Sequence, residues 1–162
     1  MKTLSVVFAL ALLLLASSAS PLGAQQSGTS AASSPILTTP DAIKWSALVP
    51  GVQMAVLSGD PSKTEPYTLR LKMSDGARVA AHWHPEDENV TVLQGTFLAG
   101  MGDKFDASGL HEFPVGSYVL MPKQMHHFAT ARGENILQLH GTGPFVINYV
   151  NPADDPANAT KK

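Results

Sequence analysis

Hydrophobic and polar residues alternate over short stretches of the chain, and turn residues separate these stretches. In residues 67–73, apolar side chains at every second position alternate with threonine, arginine and lysine. This period of two predicts a strand with one buried face. Further strand-length stretches cover residues 90–93, 118–121, 136–139 and 145–150. Because no long segment keeps a helical period, about eight short strands are predicted, which is typical of an all-β sandwich or barrel.

One short helical turn is predicted before the first strand. It falls within residues 41–48, with Asp41 as the N-cap and with Ile43 and Trp45 packed on the domain. Pro50 and Gly51 end this segment. The folded unit therefore begins near residue 41.

The first 24 residues have the layout of a secretory signal peptide. Lys2 precedes a nearly unbroken apolar run over residues 4–16, and small residues follow. Cleavage after Ala19 or after Ala24 fits this pattern, and Ala24 is preferred. An apolar run of this length falls short of the ~20 residues of a comfortable membrane span. An uncleaved signal anchor is the alternative. We expect a secreted or periplasmic protein with no membrane span once the signal is removed.

The remaining chain divides by composition into three parts. Residues 25–40 are small, polar and proline-rich, which predicts a flexible leader. Residues 41–151 contain the strand-like stretches and form the expected folded domain. Residues 152–162 resemble the leader in composition and are predicted to be a flexible tail.

Composition and charge exclude several classes of protein. Apolar residues make up 44% of the 162 residues, which is enough for one packed domain. The formal net charge is −2, whereas a protein that tracks nucleic-acid phosphates should be clearly basic. Nucleic acid is therefore not an expected partner. The chain has no cysteine, so disulfides, thiol catalysis and cysteine-ligated metal sites are excluded.

The spacing of the histidines carries the main chemical information. His82 and His84 are two residues apart, so a strand would place both imidazoles on one face. Residues 85–87 can form a turn that brings Glu88 back beside these two histidines, and His127 comes from a later strand. Three imidazoles and one carboxylate can hold a divalent transition metal: Mn, Fe, Co, Ni, Cu or Zn. The alternative is a coincidental cluster of exposed residues.

The two segments that contain these residues resemble the two motifs of the cupin superfamily. The first motif is matched by Gly76, His82, His84, Glu88 and Gly95. The second motif is matched by Gly116, Pro122 and His127. The chain departs from the second motif at Gln124, where the family has glycine, and at Ala131, where it has asparagine. The resemblance covers about residues 50–150. The chain also resembles a group of small, single-domain secreted bacterial cupins. This resemblance lies in the histidines and Pro85 followed by an acidic turn, in Gly-X-Gly-Asp at residues 100–103, and in Gly-Pro-Phe at 143–145 that leads to Tyr-Val-Asn-Pro at 149–152.

This resemblance implies a fold, a ligand set and an assembly. The fold is a single double-stranded β-helix, a jelly-roll-like barrel. The implied metal ligands are His82, His84, Glu88 and His127, with His126 as the competitor for the last place. Adjacent strand residues face opposite ways, so one of the two neighbouring histidines points inward. A small-molecule ligand and a homodimer are also implied.

Four further residues are candidates for contacts around the metal or the substrate. Arg78 is four residues before His82 and shares its face if the strand is regular, where it can bind an anionic substrate. His126 is a candidate proton shuttle at the rim or a solvated surface residue. Gln138 and His140 line the barrel if their strand face is the inner one; otherwise Leu137 and Leu139 do.

The resemblance leaves the function among three readings, of which a sugar isomerase-like cupin ranks last, because only Arg78 is an obvious cation for its polar pocket. Two readings remain in front. The first is a metal-dependent enzyme of dioxygenase or oxidase type that acts on a small oxygen-rich compound, with Glu88 as a possible base. The second is a non-catalytic extracytoplasmic module that binds or senses a metal or small ligand. The same fold carries many reactions, so the family alone does not decide between them.

Overall fold

A computed structural model describes residues 34–159 of the chain. The predicted signal peptide, residues 1–24, and residues 25–33 of the predicted leader lie outside these residues. Within residues 34–159, no helix has the length and apolar character needed to cross a membrane. The strands of this part are β1 Ser46–Val49, β2 Val52–Ser58, β3 Pro66–Met73, β4 Arg78–Trp83, β5 Glu88–Met101, β6 His111–Phe113, β7 Tyr118–Met121, β8 His127–Thr142 and β9 Asn148–Tyr149. Three-residue 3₁₀ turns cover Pro40–Ala42, Ala107–Gly109 and Pro152–Asp154, and one helical turn, α1, covers Pro156–Ala159.

The strands form one curled antiparallel sheet, a half-barrel. The strand order is β1-β2-β3-β8-β4-β9. Strand β5 pairs with β8, and β6 and β7 each pair with β5. Strand β8 pairs with β3 and β5 through its second half and with β4 and β5 through its first half. This long strand therefore connects the two sides of the curl. The predicted all-β, jelly-roll-like architecture is confirmed.

The core lies inside the curl and follows the predicted alternation. Along β3, Tyr67, Leu69, Leu71 and Met73 are buried while the residues between them are partly exposed. Leu69 pairs with Leu139 of β8, which in turn pairs with Val90 of β5. Burial of each such aliphatic side chain contributes roughly 1.5–3 kcal/mol, so these inward rows hold the sheet in its curled shape.

A β-bulge in β4 changes which residues face the interior. The pairing register of β4 with β8 shifts between Val79 and His82. As a result Ala81 and His82, which are adjacent, are both buried. A bulge inserts one extra residue into the strand, so the side chains before it point to the opposite face from the one that a regular strand would give them. The expectation that Arg78 shares the inner face with His82 is therefore wrong, because it assumed a regular strand.

The ends of the domain differ from the prediction in three details. The short N-terminal turn is present, but it is a 3₁₀ turn that follows Thr39, so Asp41 lies inside it and is not its N-cap. The stretch 145–150 contributes only the two residues of β9. Residues 152–159 of the predicted tail form the last 3₁₀ turn and α1, where the side chains of Asn151 and Asp155 accept backbone N–H bonds.

The turn around Gln124 keeps the backbone that the cupin motif expects of glycine. Gln124 has φ of 63°, and it is the one non-glycine with positive φ among the described residues. Its N–H donates to the carbonyl oxygen of His84 at 2.8 Å. This bond connects the turn before β8 to the residue that follows β4. The replaced glycine position thus retains its left-handed conformation at a cost of roughly 1–2 kcal/mol.

Candidate metal centre

Three histidines meet inside the curl at one end of the sheet. His82 lies in β4, His84 follows the end of β4, and His127 begins β8. The pairing of β4 with β8 places His82 directly opposite His127, and their ring centroids are 4.2 Å apart. One ring nitrogen from each of the three lies within 4.8 Å of the others. All three side chains are buried, so the two motif segments converge on one point.

Backbone carbonyl groups fix the tautomer of all three imidazoles. The Nδ1 atoms of His82, His84 and His127 lie 2.7, 2.7 and 2.9 Å from the carbonyl oxygens of Ala80, Val146 and Met125. A carbonyl oxygen only accepts hydrogen bonds, so each Nδ1 carries the proton. Each Nε2 is then left with a lone pair. This is the arrangement in which metal-ligating histidines are held in proteins.

Glu88 lies beside the three histidines without hydrogen bonding to them. It is the first residue of β5, and its side chain is buried. Its Oε1 is 3.6 Å from Nε2 of His84, and its Oε2 is 3.7 Å from Nε2 of His127. These distances exceed those of a hydrogen bond, and the ionised carboxylate and the two Nε2 atoms are all acceptors. The buried Nε2 of His84 has no hydrogen-bond partner in the described residues.

Burial keeps the histidines neutral. Loss of hydration lowers the pKa of His82 to about 2, with the neighbouring His127 and His84 adding to the shift. Burial lowers the pKa of His84 to about 4 and also lowers that of His127. Burial raises the pKa of Glu88, and His127 opposes this rise. Neutral imidazole is the form that binds a metal, so the site needs no proton removal from histidine near neutral pH.

The cavity around these residues is small and has mainly apolar walls. Its space for water-sized molecules, about 40 Å³, corresponds to about three waters. Besides the histidines and Glu88, the walls are aliphatic and aromatic: Leu48, Val49, Val52, Leu71, Met73, Val79, Val90, Phe97, Ala129, Leu137, Leu139, Phe145 and Ile147. Such walls exclude bulk water and strengthen electrostatic interactions inside.

The donor set fits a divalent transition metal. Three nitrogen lone pairs and a carboxylate converge without hydrogen bonds to one another, and one bound cation would satisfy all of them. The nitrogen-rich set fits Mn, Fe, Co, Ni, Cu or Zn better than Ca or Mg, which prefer oxygen ligands. The orphaned Nε2 of His84 is the observation that makes this fit specific.

The other candidate residues lie outside this cavity. His126 is half-exposed, with its Nδ1 2.7 Å from a carboxylate oxygen of Asp103. Leu137 and Leu139 are the inward residues of β8, so Gln138 and His140 face outward. Gln138 accepts a bond from Arg70 at 3.3 Å. Arg78 is exposed because the bulge in β4 turns its side chain away from the interior.

Two aromatic residues near the histidines were not among the site residues expected from the sequence. Phe145 stacks on His84, with ring centroids 5.0 Å apart and an interplanar angle of 17°. Tyr149 pairs with His82 across β4 and β9, with ring centroids 6.3 Å apart. The sequence signal is the segment that leads from Gly143 to Asn151, which places aromatic residues close after β8. Nothing in its pattern indicates that it folds back onto the site.

The fold and the histidine cluster together define a cupin. A family model for the ChrR cupin-like domain matches residues 33–146, and the chain belongs to this family. A comparison with curated protein sequences finds no match. The predicted membership of the cupin superfamily is therefore confirmed.

Solved structures show the same fold at low sequence identity. The polyketide cyclase RemF from Streptomyces resistomycificus is 14% identical with a TM-score of 0.62, covering 78% of this chain and 92% of that one. KdgF from Halomonas sp. is 20% identical with a TM-score of 0.51, over 63% and 90%. The Rhodobacter sphaeroides complex of SigE with the anti-sigma ChrR is 22% identical with a TM-score of 0.51, over 63% and 51%. At these identities the similarity concerns the fold alone.

Proposed function

We propose that this protein binds one divalent transition metal ion through His82, His84 and His127, with Glu88 as the fourth donor. The observation that carries the proposal is the set of three Nδ1–carbonyl bonds, which leaves the three Nε2 atoms with free lone pairs in a cluster of ring nitrogens within 4.8 Å of one another. Holding this arrangement without a cation is unfavourable, because the buried acceptors then face one another.

The reaction that this site supports best is oxidation of a small oxygen-rich compound by a metal-dependent dioxygenase or oxidase. A four-donor set on a metal that accepts five or six ligands leaves positions for substrate and a small co-ligand. A metal bound there would supply Lewis-acid or redox chemistry. The apolar walls exclude water, and the histidine rings stay fixed by their backbone bonds. Glu88 is the one carboxylate among the described residues that line the cavity, so it is the group able to accept a proton from a bound substrate.

Elemental analysis of protein purified without a chelator or a histidine tag tests the metal. We expect about one metal ion per chain in the wild type, as the single site implies. The variant His127→Ala should lose most of it, whereas His140→Ala, which removes an exposed histidine outside the cavity, should keep it. Absence of metal in the wild type after reloading with each candidate ion would end the proposal. The identity of the ion then directs the choice of substrates.

Oxygen consumption tests the reaction class separately. Metal-loaded protein is given a panel of diketones, enediols and phenolic compounds in an oxygen electrode. We expect turnover with at least one of these classes and none with His127→Ala. A protein that holds its metal and consumes no oxygen with the whole panel is not an oxidase or dioxygenase.

The second candidate function is a non-catalytic module that senses or binds a metal or small ligand. Family membership favours it, because ChrR is an anti-sigma protein solved in complex with SigE. An enzyme should show exchangeable water on its metal and a spectral change with substrate. A binding module should hold its ligand tightly and turn nothing over.

Location and assembly complete the proposal. We propose that the mature chain is periplasmic or secreted and forms a homodimer, on the basis of residues 1–24 and of the cupin fold. N-terminal sequencing of the mature protein should begin at Ser20 or Gln25. Light scattering after size exclusion should give twice the mass of one chain.

A further inference from the structure

Four residues mark the mouth of the metal cavity. The other described side chains that line the cavity are buried, whereas these four are half-buried and so reach the surface. They are Leu48, Val49, Phe145 and Ile147. Each of them is apolar, so a ligand that enters between them passes no charged or hydrogen-bonding side chain.

The polar side chains of the cavity are gathered in one place. Among the described residues that line it, only His82, His84, His127 and Glu88 are polar. These are the four donors of the proposed metal centre. The wall strands β3, β5 and β8 use their backbone N–H and C=O groups to pair with one another. Away from the four donors, the described walls therefore offer a ligand no side chain to which it can hydrogen bond.

This arrangement restricts where a ligand can carry its polar atoms. An oxygen atom bound to a metal exchanges its hydration for a coordination bond. A hydroxyl, amide or charged group elsewhere on the ligand loses its water against aliphatic and aromatic walls and gains no partner, which opposes binding. A methyl group in the same place gains from leaving water. The walls thus select by polarity, in addition to the limit on size that a space for about three waters imposes.

Phe145 is the wall residue that connects the mouth with the donors. Its ring stacks on His84, with centroids 5.0 Å apart and an interplanar angle of 17°. The same ring is half-buried and stands at the mouth. A ligand that is bound beside His84 and extends toward the mouth therefore lays its body against Phe145.

We propose that the cavity accepts small ligands whose oxygen donors are gathered at one end and whose remaining body is a short hydrocarbon, with Phe145 as a specificity-determining residue. Sugars and dicarboxylates are excluded, because they carry polar groups at both ends. This inference rests on the proposed function, because it narrows the oxygen-rich compound of that proposal to one class. Oxygen atoms of the ligand serve to bind the metal, and its body serves to fill the apolar walls.

Propanohydroxamic acid and glycolohydroxamic acid are a matched pair of probes for this selection. They share the metal-binding hydroxamate group, and a hydroxyl in the second replaces the terminal methyl of the first. Each is titrated into Co²⁺-loaded protein of measured metal content, and the visible absorption of the cobalt gives the dissociation constant. The constant of each probe for aqueous Co²⁺ corrects for its own chelating strength.

Phe145→Gln is the test variant, because it brings an amide to the wall beside His84. The control is Phe105→Gln. Phe105 is also half-buried, but its ring packs on Phe128 with centroids 5.2 Å apart, and it does not line the cavity. Circular dichroism establishes that each variant is folded before titration. The comparison of the two probes in the wild type needs neither variant.

We expect the wild type to bind propanohydroxamate at least about tenfold more tightly than glycolohydroxamate after this correction, as burial of a hydroxyl without a partner implies. Phe145→Gln should reduce this ratio to about threefold or less, because its amide supplies a partner for the hydroxyl. Phe105→Gln should leave the ratio unchanged.

Three results overturn the inference: equal or tighter binding of glycolohydroxamate by the wild type, no binding of either probe to cobalt-loaded protein, or equal losses of preference in Phe105→Gln and Phe145→Gln. A full preference in folded Phe145→Gln overturns the role of Phe145. Protein that takes up no Co²⁺ refutes the metal proposal and this inference with it. The measured metal content therefore separates that failure from a failure of selection alone.

Discussion

In the metal-free protein, the acceptors of the metal centre face one another without donors between them. Glu88 lies 3.6 and 3.7 Å from two Nε2 atoms that carry lone pairs. The substitution Glu88→Gln keeps the shape of the side chain, removes the buried charge and adds an NH₂ group. That group can donate to Nε2 of His84, which has no partner. We therefore expect Glu88→Gln to stabilise the metal-free protein.

The magnitude follows from the cost of an unsatisfied buried group. Such a group costs roughly 1–3 kcal/mol, so a gain of about 1–2 kcal/mol is expected on replacement. For a domain of this size, that gain raises the melting temperature by about 4–8 °C. Burial raises the pKa of Glu88 in the folded state above its usual value of 4.5. The folded protein therefore holds this proton more tightly than the unfolded chain and loses stability as pH rises through the folded pKa. The advantage of the variant should widen with pH.

Metal reverses the order of the two proteins. Glutamine is a weaker metal donor than carboxylate, so Glu88→Gln should lower metal affinity by about a hundredfold or more. A hundredfold loss is about 2.7 kcal/mol of metal stabilisation, which exceeds the gain of about 1–2 kcal/mol in the metal-free protein. Added Zn²⁺ then stabilises the wild type more than the variant, because a ligand of the folded state stabilises in proportion to the logarithm of its affinity. The same substitution should therefore stabilise the protein in chelator and destabilise it, relative to wild type, in zinc.

Thermal unfolding by circular dichroism, in chelator and in Zn²⁺ at pH 6 and pH 8, measures both effects. The control is Glu86→Gln, which removes a neighbouring carboxylate that lines an outer groove and is absent from the metal cavity. It should change neither melting temperature by more than a degree or two, as for most surface substitutions. If Glu88→Gln melts below wild type in chelator at pH 8, Glu88 has hydrogen-bond donors and the assigned histidine tautomers are wrong.

Three further outcomes follow from particular residues. Burial lowers the pKa of His84 to about 4. The neutral imidazole therefore contributes its full stabilisation above pH 6.5, and about 3 kcal/mol of it is lost by pH 4. In metal-free protein, His84→Gln should flatten the fall of the unfolding free energy between pH 6 and pH 4. Gln124→Gly should stabilise the protein by about 1 kcal/mol in urea titration, because glycine adopts the φ of 63° without strain. Gly95→Ala should cost at least about 2 kcal/mol, since its Cβ would overlap Oδ1 of Asn135. The control is Gly133→Ala, which has a similar φ but open space around the new Cβ, so it measures the cost of the backbone conformation without the overlap.

The sequence was sufficient for the elements whose pattern is local. The alternation over residues 67–73 corresponds to β3, and residues 118–121 are β7 as predicted. The spacing of the histidines also led to the cavity, because His82, His84 and His127 do converge. The rule that adjacent residues face opposite sides also chose correctly between two histidines at the start of β8. His127 points into the cavity, and His126 points outward. In each case one residue's position in a regular strand decides where its side chain points.

The remaining features depend on departures from regular strands and on contacts distant in sequence. The bulge between Val79 and His82 reverses the facing of Arg78, and no pattern of residue types in β4 indicates it. The sequence left open which face of residues 136–140 lines the interior. Pairing with β3 and β5 decides this, because it aligns Leu139 with the buried Leu69 and Val90. The contact of Tyr149 with His82 joins residues 67 positions apart, so no local pattern contains it.

The hydrogen bonds that orient the three imidazoles come entirely from main-chain carbonyl groups, at Ala80, Met125 and Val146. Main-chain atoms are present whatever side chain a residue carries. The orientation of the ligands is therefore insensitive to substitution at the three residues that enforce it, provided that the strands keep their course. The residues that line the cavity can change its chemistry while the ligand geometry persists. A scaffold of this kind is suited to acquiring new substrates through changes confined to its walls.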